Sequence, residues 1–199
     1  MNAAIKRRIE RDDIMPMAEY EAGRKERRKD LVAVKRHRRV ETGPVCTFYF
    51  ENYETMWHQV QEMLYIEKGG EEQIEDELNA YNPLIPQGRE LIATVMFEID
   101  DPVRRKAFLS KLGGVEETAF IEIDGVDRIV GKPEEDVDRT TADGKASSVQ
   151  FIHFPVTDAQ AEAMKVPNTR VVIGFTHSHY SHMAVLTEEA RAALAADLA

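Results

Sequence analysis

A strand-to-helix junction occupies residues 50–67, which read FENYETMWHQVQEMLYIE. A β-rich run ends there at the polar corner Glu51-Asn52, and residues 53–67 then carry apolar side chains at helical spacing. These are Met56, Val60, Met63 and Leu64. Another side of the same helix carries His58, Glu62 and Tyr65. We therefore expect the centre of the protein, and its candidate site, at this junction.

The segments around the junction predict short strands and helices. Upstream, residues 31–34 and 45–50 are β-rich and flank Thr42-Gly43-Pro44, so we expect a hairpin. Downstream, Gly69-Gly70 ends the helix, and residues 71–81 predict a second helix because Ile74, Leu78 and Tyr81 share one face. Together the two helices suggest a helical hairpin.

The second half of the chain continues the alternation of strands and helices. Strands are predicted at 91–99, 118–123, 128–130, 148–156 and 170–176, with helices opening at Asp101-Pro102, Thr157-Asp158 and Thr187. Asp124-Gly125 favours a tight turn, so the strands beside it should pair antiparallel.

These elements predict one α+β domain over residues 1–199. We expect a largely antiparallel sheet of about seven strands, with helices packed mainly on one side. Residues 1–30 are expected to form a basic helical N-terminal segment. Residues 132–146 are polar, acidic and almost free of apolar side chains, so we expect a mobile loop.

Composition narrows the class of protein. Apolar residues make up 43% of the chain and charged residues 31%, and no apolar run approaches the roughly 20 residues that span a bilayer. The N-terminus lacks the features of a secretory signal, so a cytoplasmic location is expected. Cys46 is the single cysteine, which excludes an internal disulfide and a cysteine-based metal cluster and suggests a small buried hydrophobe. No Gly-rich phosphate loop or serine-hydrolase elbow is present.

Charge is unevenly distributed along the chain. The net charge of the chain is −10. Residues 1–40 hold 13 Lys and Arg against 7 Asp and Glu, a net charge of +6, so residues 41–199 carry a net charge of −16. Nucleic-acid binding is not expected, because acids interrupt the basic runs, stacking aromatics are nearly absent there, and the acidic body repels phosphate. Two oppositely charged surfaces could instead steer a protein partner.

The junction supplies the first candidate site. We expect Glu51, Asn52, His58, Gln61 and Glu62 to point into one polar ligand pocket, because strand exit and helix entry bring them within about two helical turns. His58 and Glu62 lie one turn apart and could bind one divalent metal ion. The alternative is an ordinary pair on a solvated helix face.

The C-terminal run THSHYSH, residues 176–182, supplies the second candidate site. An extended segment would send His177 and His179 to the same side, where they could share a metal. One carboxylate from the central helix would complete a two-His-one-carboxylate iron site or an open zinc site. The alternative is a surface turn whose histidines bind nothing.

Several of these stretches together resemble the bacterial domain-of-unknown-function family 3501. The resemblance is carried by residues 50–64, by AYNPLIP at 80–86, by ELIATVMFE at 90–98, and by His177 and Tyr180 before an Arg-containing helix. It extends over nearly the whole chain from Glu19 onward. The family brings no established activity. Its members are typically encoded beside rubrerythrin-like proteins and iron–sulfur oxidoreductase subunits, which implies a cytoplasmic redox or peroxide-related system.

Three functions from different classes follow. The first is an accessory component of such a redox system, working through contacts with a rubrerythrin-like or iron–sulfur oxidoreductase partner. The second is a metal-dependent enzyme or metal-binding protein that uses iron or zinc at His58, Glu62, His177 and His179. The third is a module that binds a small ligand between sheet and helices, with Asn52, Gln59 and Gln61 as polar contacts.

Overall fold

The computed structural model describes residues 5–134, 139–141 and 144–198. Within these ranges the helices are α1 (Met17–Arg36), α2 (Tyr53–Glu67), α3 (Glu71–Tyr81), α4 (Pro102–Leu109), α5 (Asp158–Lys165) and α6 (Glu188–Ala195). The strands are β1 (Arg39–Thr42), β2 (Cys46–Phe50), β3 (Glu90–Phe97), β4 (Ala119–Ile123), β5 (Ile129–Val130), β6 (Lys132–Pro133), β7 (Val149–Pro155), β8 (Val171–Phe175) and β9 (Met183–Val185).

The strands form two antiparallel sheets. The larger has the order β1-β2-β3-β7-β6, and the smaller has the order β5-β4-β8-β9. The α+β class and the antiparallel pairing are confirmed, but the expected single sheet of about seven strands is two sheets of five and four. The chain passes between them at Gly131, the one residue separating β5 from β6, where a Cβ atom would lie only 2.7 Å from Ile152 Cγ2.

The main core lies between the two sheets. On β3, Leu91, Ala93, Val95 and Phe97 face this core, and Phe48 from β2 packs against Phe175 from β8 with ring centroids 5.1 Å apart. Apolar residues of α4, α5 and α6 join the same core. Cys46, at the start of β2, is buried in it, and burial raises the pKa of its thiol well above the usual value.

A second core covers the opposite face of the larger sheet. Ile92 of β3 points to this side, where α2 and α3 pack with the residues of a short N-terminal segment. The core consists of Ile9, Met56, Val60, Leu64, Ile74, Leu78, Leu84, Ile85 and Ile92. Both faces of β3 are therefore buried, which explains why its sequence is apolar almost throughout.

The helical hairpin has the predicted bounds. Asn52 caps α2, because its Oδ1 accepts a hydrogen bond from the Thr55 backbone N–H at 2.9 Å. The helix ends where Lys68 takes a left-handed conformation with φ of 56°, one residue earlier than the glycines that were expected to stop it.

The N-terminal helix is longer than predicted. Residues 31–34 were expected to form the first strand of the hairpin, but they lie in α1, and β1 pairs with β2 instead. The turn between β1 and β2 is short, so only residues directly before Thr42 can reach the register with Cys46–Tyr49. Val32, with 63% of its surface exposed, has no sheet to cover it, and helical continuity outweighs its β propensity.

The predicted polar loop at 132–146 is held at several described positions. Lys132–Pro133 pair with β7, Thr140 forms an isolated bridge with Ala146, and the Ala146 backbone N–H donates to Leu109 O at 3.0 Å. Residues 135–138 and 142–143 lie outside the described residues. The predicted mobility of this loop stays a prediction.

Tyr180, in the turn between β8 and β9, links the two sheets at one end. Its hydroxyl donates to the Thr42 carbonyl at 2.7 Å, and its ring packs against Phe97 at a centroid distance of 5.4 Å. Gly43 makes this approach possible, since its φ is 74° and a Cβ atom would lie 2.7 Å from the Tyr180 hydroxyl. Burial raises the Tyr180 pKa to about 12.

No helix in the described parts of the chain combines the length and the apolar character that crossing a membrane requires.

The contribution of the Tyr180 hydroxyl to stability can be tested with Tyr180→Phe, which removes the hydroxyl and keeps the ring. We expect the free energy of unfolding to fall by about 1–2 kcal/mol, because a buried carbonyl loses its donor. Urea unfolding measures the change. Tyr49→Phe is the matched control, since its hydroxyl donates to Glu98 at an exposed site, and it should cost below about 0.5 kcal/mol. An equal decrease in the free energy of unfolding in the two variants would contradict the proposed role of the Tyr180 hydroxyl in linking the sheets.

Candidate functional site

The corner between β2 and α2 is held by its own hydrogen bonds. The buried Glu51 carboxylate accepts from Thr55 Oγ1 at 2.6 Å and from Thr94 Oγ1 at 2.7 Å. Asn52 donates its backbone N–H to Thr55 Oγ1 at 3.0 Å and caps the helix with its side chain. Glu51 and Asn52, two of the five predicted pocket residues, therefore shape the strand-to-helix turn.

Of the other three predicted pocket residues, His58 and Glu62 contact α1, and Gln61 is buried on the same helix α2. Helix α1 runs antiparallel to α2, as contacts pair Glu21 with Tyr65 at one end and Arg27 with Trp57 further along. Only Tyr20 of α1 is fully buried. The site that the sequence predicted at the junction is thus divided between two places, the corner and the α1–α2 interface.

Glu62 is the anchor of the α1–α2 interface. Its Oε1 accepts from the Tyr20 hydroxyl at 2.6 Å and from Arg24 Nε at 2.8 Å, and its Oε2 accepts from Arg24 Nη2 at 2.7 Å. Arg24 also lies over the Tyr65 ring, 4.4 Å from the centroid. Such a two-pronged guanidinium–carboxylate pair is strong and directional. Glu62 is therefore engaged on both oxygens, and a metal ion would have to compete with Arg24 and Tyr20 for this carboxylate.

Electrostatics at the interface follow from these contacts. The hydrogen bonds from the Arg24 guanidinium lower the pKa of the Glu62 carboxyl to about 2. Burial, reinforced by the bond to Glu62, raises the pKa of Tyr20. Burial lowers the pKa of His58; Glu62 opposes this shift, and Lys35, Arg28 and Arg24 add to it. The imidazole is therefore kept neutral at pH 7.

Several buried polar atoms of α1 and α2 have no hydrogen-bond partner in the described part of the chain. His58 Nε2, both amide atoms of Gln61 and Arg27 Nε are buried and have no hydrogen-bond partner among the described protein groups. The His58 ring lies 6.3 Å from the Tyr20 ring, which places it against α1. A buried unpaired polar group typically costs about 1–3 kcal/mol.

The C-terminal histidines form a turn. His177 Nδ1 accepts from the His179 backbone N–H at 3.2 Å, so in the neutral ring Nε2 carries the proton and points at Gly113 O, 3.3 Å away. The His177 and His179 rings are 5.8 Å apart, and His179 Nδ1 lies 3.2 Å from Ser178 Oγ. Both nitrogens of His177 are engaged, and a metal ion would have to replace one of these hydrogen bonds.

The predicted metal ligands are not gathered into one site. Among the described residues, no three His, Cys, Asp or Glu side chains are grouped so that they could hold one ion. His58 and Glu62 therefore do not join His177 and His179 around a shared position. Metal binding by either pair alone stays a prediction.

The exposed side of α1 is basic. The helix holds seven Lys and Arg against four Asp and Glu, and Arg24, Lys25 and Arg28 line a surface cavity of about 430 Å³ together with Glu21 and Tyr65. Just beyond the helix, Arg38 makes a buried double hydrogen bond to Asp197, at 2.7 and 2.8 Å. Helix α1 is thus attached near both ends. Between the attachments one side of it is half-buried, at Arg27, Leu31, Val34 and Lys35, and the other residues are exposed.

Sequence reasoning missed the part of the site that α1 supplies. Met17, Tyr20 and Arg24 recur at helical spacing, which predicted that they share one face of a helix. Nothing in that pattern identified Glu62, about 40 residues away, as the group that Tyr20 and Arg24 would meet. The excess of cations in residues 1–40 over the acidic remainder was the available signal.

The Glu62 anchor has a predictable pH dependence. Because the folded-state pKa is about 2 and the ordinary value is 4.5, the carboxylate stabilises the fold fully above pH 4.5 and loses this effect as pH falls toward 2. Glu62→Gln should therefore lower the free energy of unfolding by about 2 kcal/mol at pH 7, with the difference from wild type shrinking below pH 4.5.

Urea unfolding of both proteins over a pH series measures this difference. Glu75→Gln is the matched control, because Glu75 is exposed on α3 and has no ion pair among the described residues. A wild-type advantage over Glu62→Gln that stays constant down to the acid limit would rule out the proposed ionic anchor.

Comparison with known proteins gives a consistent result. A family model described as "Protein of unknown function (DUF3501)" matches residues 8–198. A crystal structure of a novel protein of unknown function from Burkholderia pseudomallei K96243 is similar at a TM-score of 0.89 and 33% identity, covering 96% of this chain and 99% of that one. No curated protein matches the chain. The family match spans almost all of the chain, and the chain therefore belongs to the DUF3501 family.

Proposed function

We propose that this protein is a cytoplasmic accessory component of a redox or peroxide-related system and that it works by binding another protein. The observation that carries the proposal is the basic, largely solvent-facing surface of α1 on an otherwise acidic chain. A rubrerythrin-like or iron–sulfur oxidoreductase protein is the proposed partner. That choice follows from the family resemblance, whereas the mode of binding follows from the charges.

Lys25 and Arg28 of α1 are available to a partner. Within the described residues, its side chains form ion pairs only between Arg24 and Glu62 and, inside the helix, between Lys29 and Glu26. Lys25 and Arg28 are exposed and have no described ion-pair partner. The alternative, in which the basic segment is neutralised by packing on its own acidic body, therefore has little support at these positions.

The composition of α1 also favours a binding role. A helix that is polar on most of its surface gains little stability from burial, and only Tyr20 of α1 is fully buried. Its cations can attract an acidic surface over roughly one Debye length, about 8 Å at physiological salt. Nucleic acid fits less well, because a net charge of −10 repels a polyanion that extends past the helix.

Co-purification from the native cell tests the proposal. The chain, captured at low salt, should bring down a rubrerythrin-like or iron–sulfur protein identified by mass spectrometry, and about 150 mM salt should weaken the association. The double variant Lys25→Glu/Arg28→Glu should lose the partner, because it reverses the charge of the two exposed cations of α1 that have no described ion-pair partner.

Lys111→Glu is the control for that variant, since Lys111 is an exposed cation in the turn after α4. Recovery of the chain alone, or with nucleic acid only, would contradict the proposal. So would a partner whose binding neither salt nor the double variant affects.

A further inference from the structure

A groove lies next to the basic surface, between the start of α1 and the hairpin of α2 and α3. Its volume is about 730 Å³. The apolar part of its lining consists of Ile14, Met15, Pro16, Met17, Leu64 and Ile74. Charged side chains at its rim include Arg11 and Glu71, which form an ion pair across it.

The floor and the walls of the groove differ in rigidity. Leu64 and Ile74 belong to the second core and are only 5% and 7% exposed, so they form a fixed apolar floor. Met15 and Met17 form the outer wall, and methionine adapts its shape to different apolar partners. The exposed Arg11–Glu71 pair across the rim is of the kind that contributes about 0–1 kcal/mol and opens readily.

The groove is continuous with the basic cavity on α1. Glu21 and Tyr65 line both spaces, and the Tyr65 hydroxyl donates to Glu21 at 3.2 Å on the boundary between them. One end of the combined surface is thus apolar. The other end carries Lys25 and Arg28, with Glu21 as the carboxylate beside them and Arg24 already paired with Glu62.

We infer that this combined surface receives one segment of an acidic partner protein, which places an apolar side chain in the groove and carboxylates on the basic cavity. The inference rests on the proposed function and specifies the chemistry of its partner. An open groove with exposed walls differs from the enclosed pocket that buries most of a small ligand. Apolar anchors beside complementary charges are the usual means by which surface grooves hold protein segments.

Geometry sets the spacing within that segment. Met17 is about 10 Å from Arg24 and about 16 Å from Arg28 along the helix axis, at 1.5 Å per residue. An extended segment covers about 3.3 Å per residue. The apolar residue and the first carboxylates should therefore be separated by about three to five residues.

Short fluorescent peptides test the inference on the full chain. The probes carry one Leu or Phe separated by about three to five residues from a cluster of Glu, and matched peptides replace either the apolar residue by Ser or the acids by Gln. Fluorescence anisotropy at low salt should show binding that needs both features. Met17→Asp should weaken it at least about tenfold by placing a charge in the apolar wall.

Control variants separate folding from binding. Met17 is the first residue of α1, where a carboxylate favours the helix, so Met17→Asp should unfold at the wild-type temperature. Met17→Leu should keep peptide affinity, Lys25→Glu/Arg28→Glu should reduce it, and Lys111→Glu should leave it unchanged.

Three outcomes would overturn the inference. The first is that no probe binds, and the second is that peptides without the apolar residue bind as well as those with it. Either result would contradict binding of a segment in the groove. Neither would contradict the proposed function, which the salt-sensitive co-purification tests separately. The third is a wild-type dimer that Met17→Asp dissociates, which would assign the groove to a second copy of the chain.

Discussion

The burial of β3 on both faces is the constraint on which the structure depends. Leu91, Ala93, Val95 and Phe97 must be covered on one side and Ile92 on the other, and a single apolar layer cannot do both. The second sheet covers the first face, and the helical hairpin covers the second. The corner at Glu51 carries the chain from the sheet to the helical layer, and its hydrogen bonds to Thr55 and Thr94 fix the angle of that transition.

Spacing and turn residues were sufficient to predict those elements whose structure is determined by their own residues. The bounds of α2 and α3, the antiparallel pair β4–β5 and the Thr187 start of α6 all agree with the expectations from spacing and turn chemistry. The division into two sheets was not accessible in the same way. The chain crosses between the sheets at Gly131, where a side chain would collide with Ile152, and this close approach is invisible to periodicity. Residues 31–34 show the opposite failure, because their β propensity was real but no partner strand was within reach.

Helical spacing predicted which residues of α2 share one side of the helix, but not what surrounds them. His58, Gln61 and Glu62 do lie together on one side of α2, as the helical period required. Their surroundings come from α1, and a contact such as Tyr20–Glu62 depends on how two distant helices cross. The contacts of Glu62 also change the chemistry expected of the site, because the ion pair with Arg24 gives this carboxylate a structural role.

The position of Cys46 limits the chemistry that this chain can perform itself. It is the single thiol in the sequence, it starts a strand within the main core, and burial disfavours the thiolate that disulfide exchange requires. An oxidant in solution meets the thioether of Met183, which is 56% exposed, before it meets this sulfur. The single thiol of the folded chain is therefore kept away from solution and in its protonated form, so it is poorly placed for exchange with another protein's disulfide.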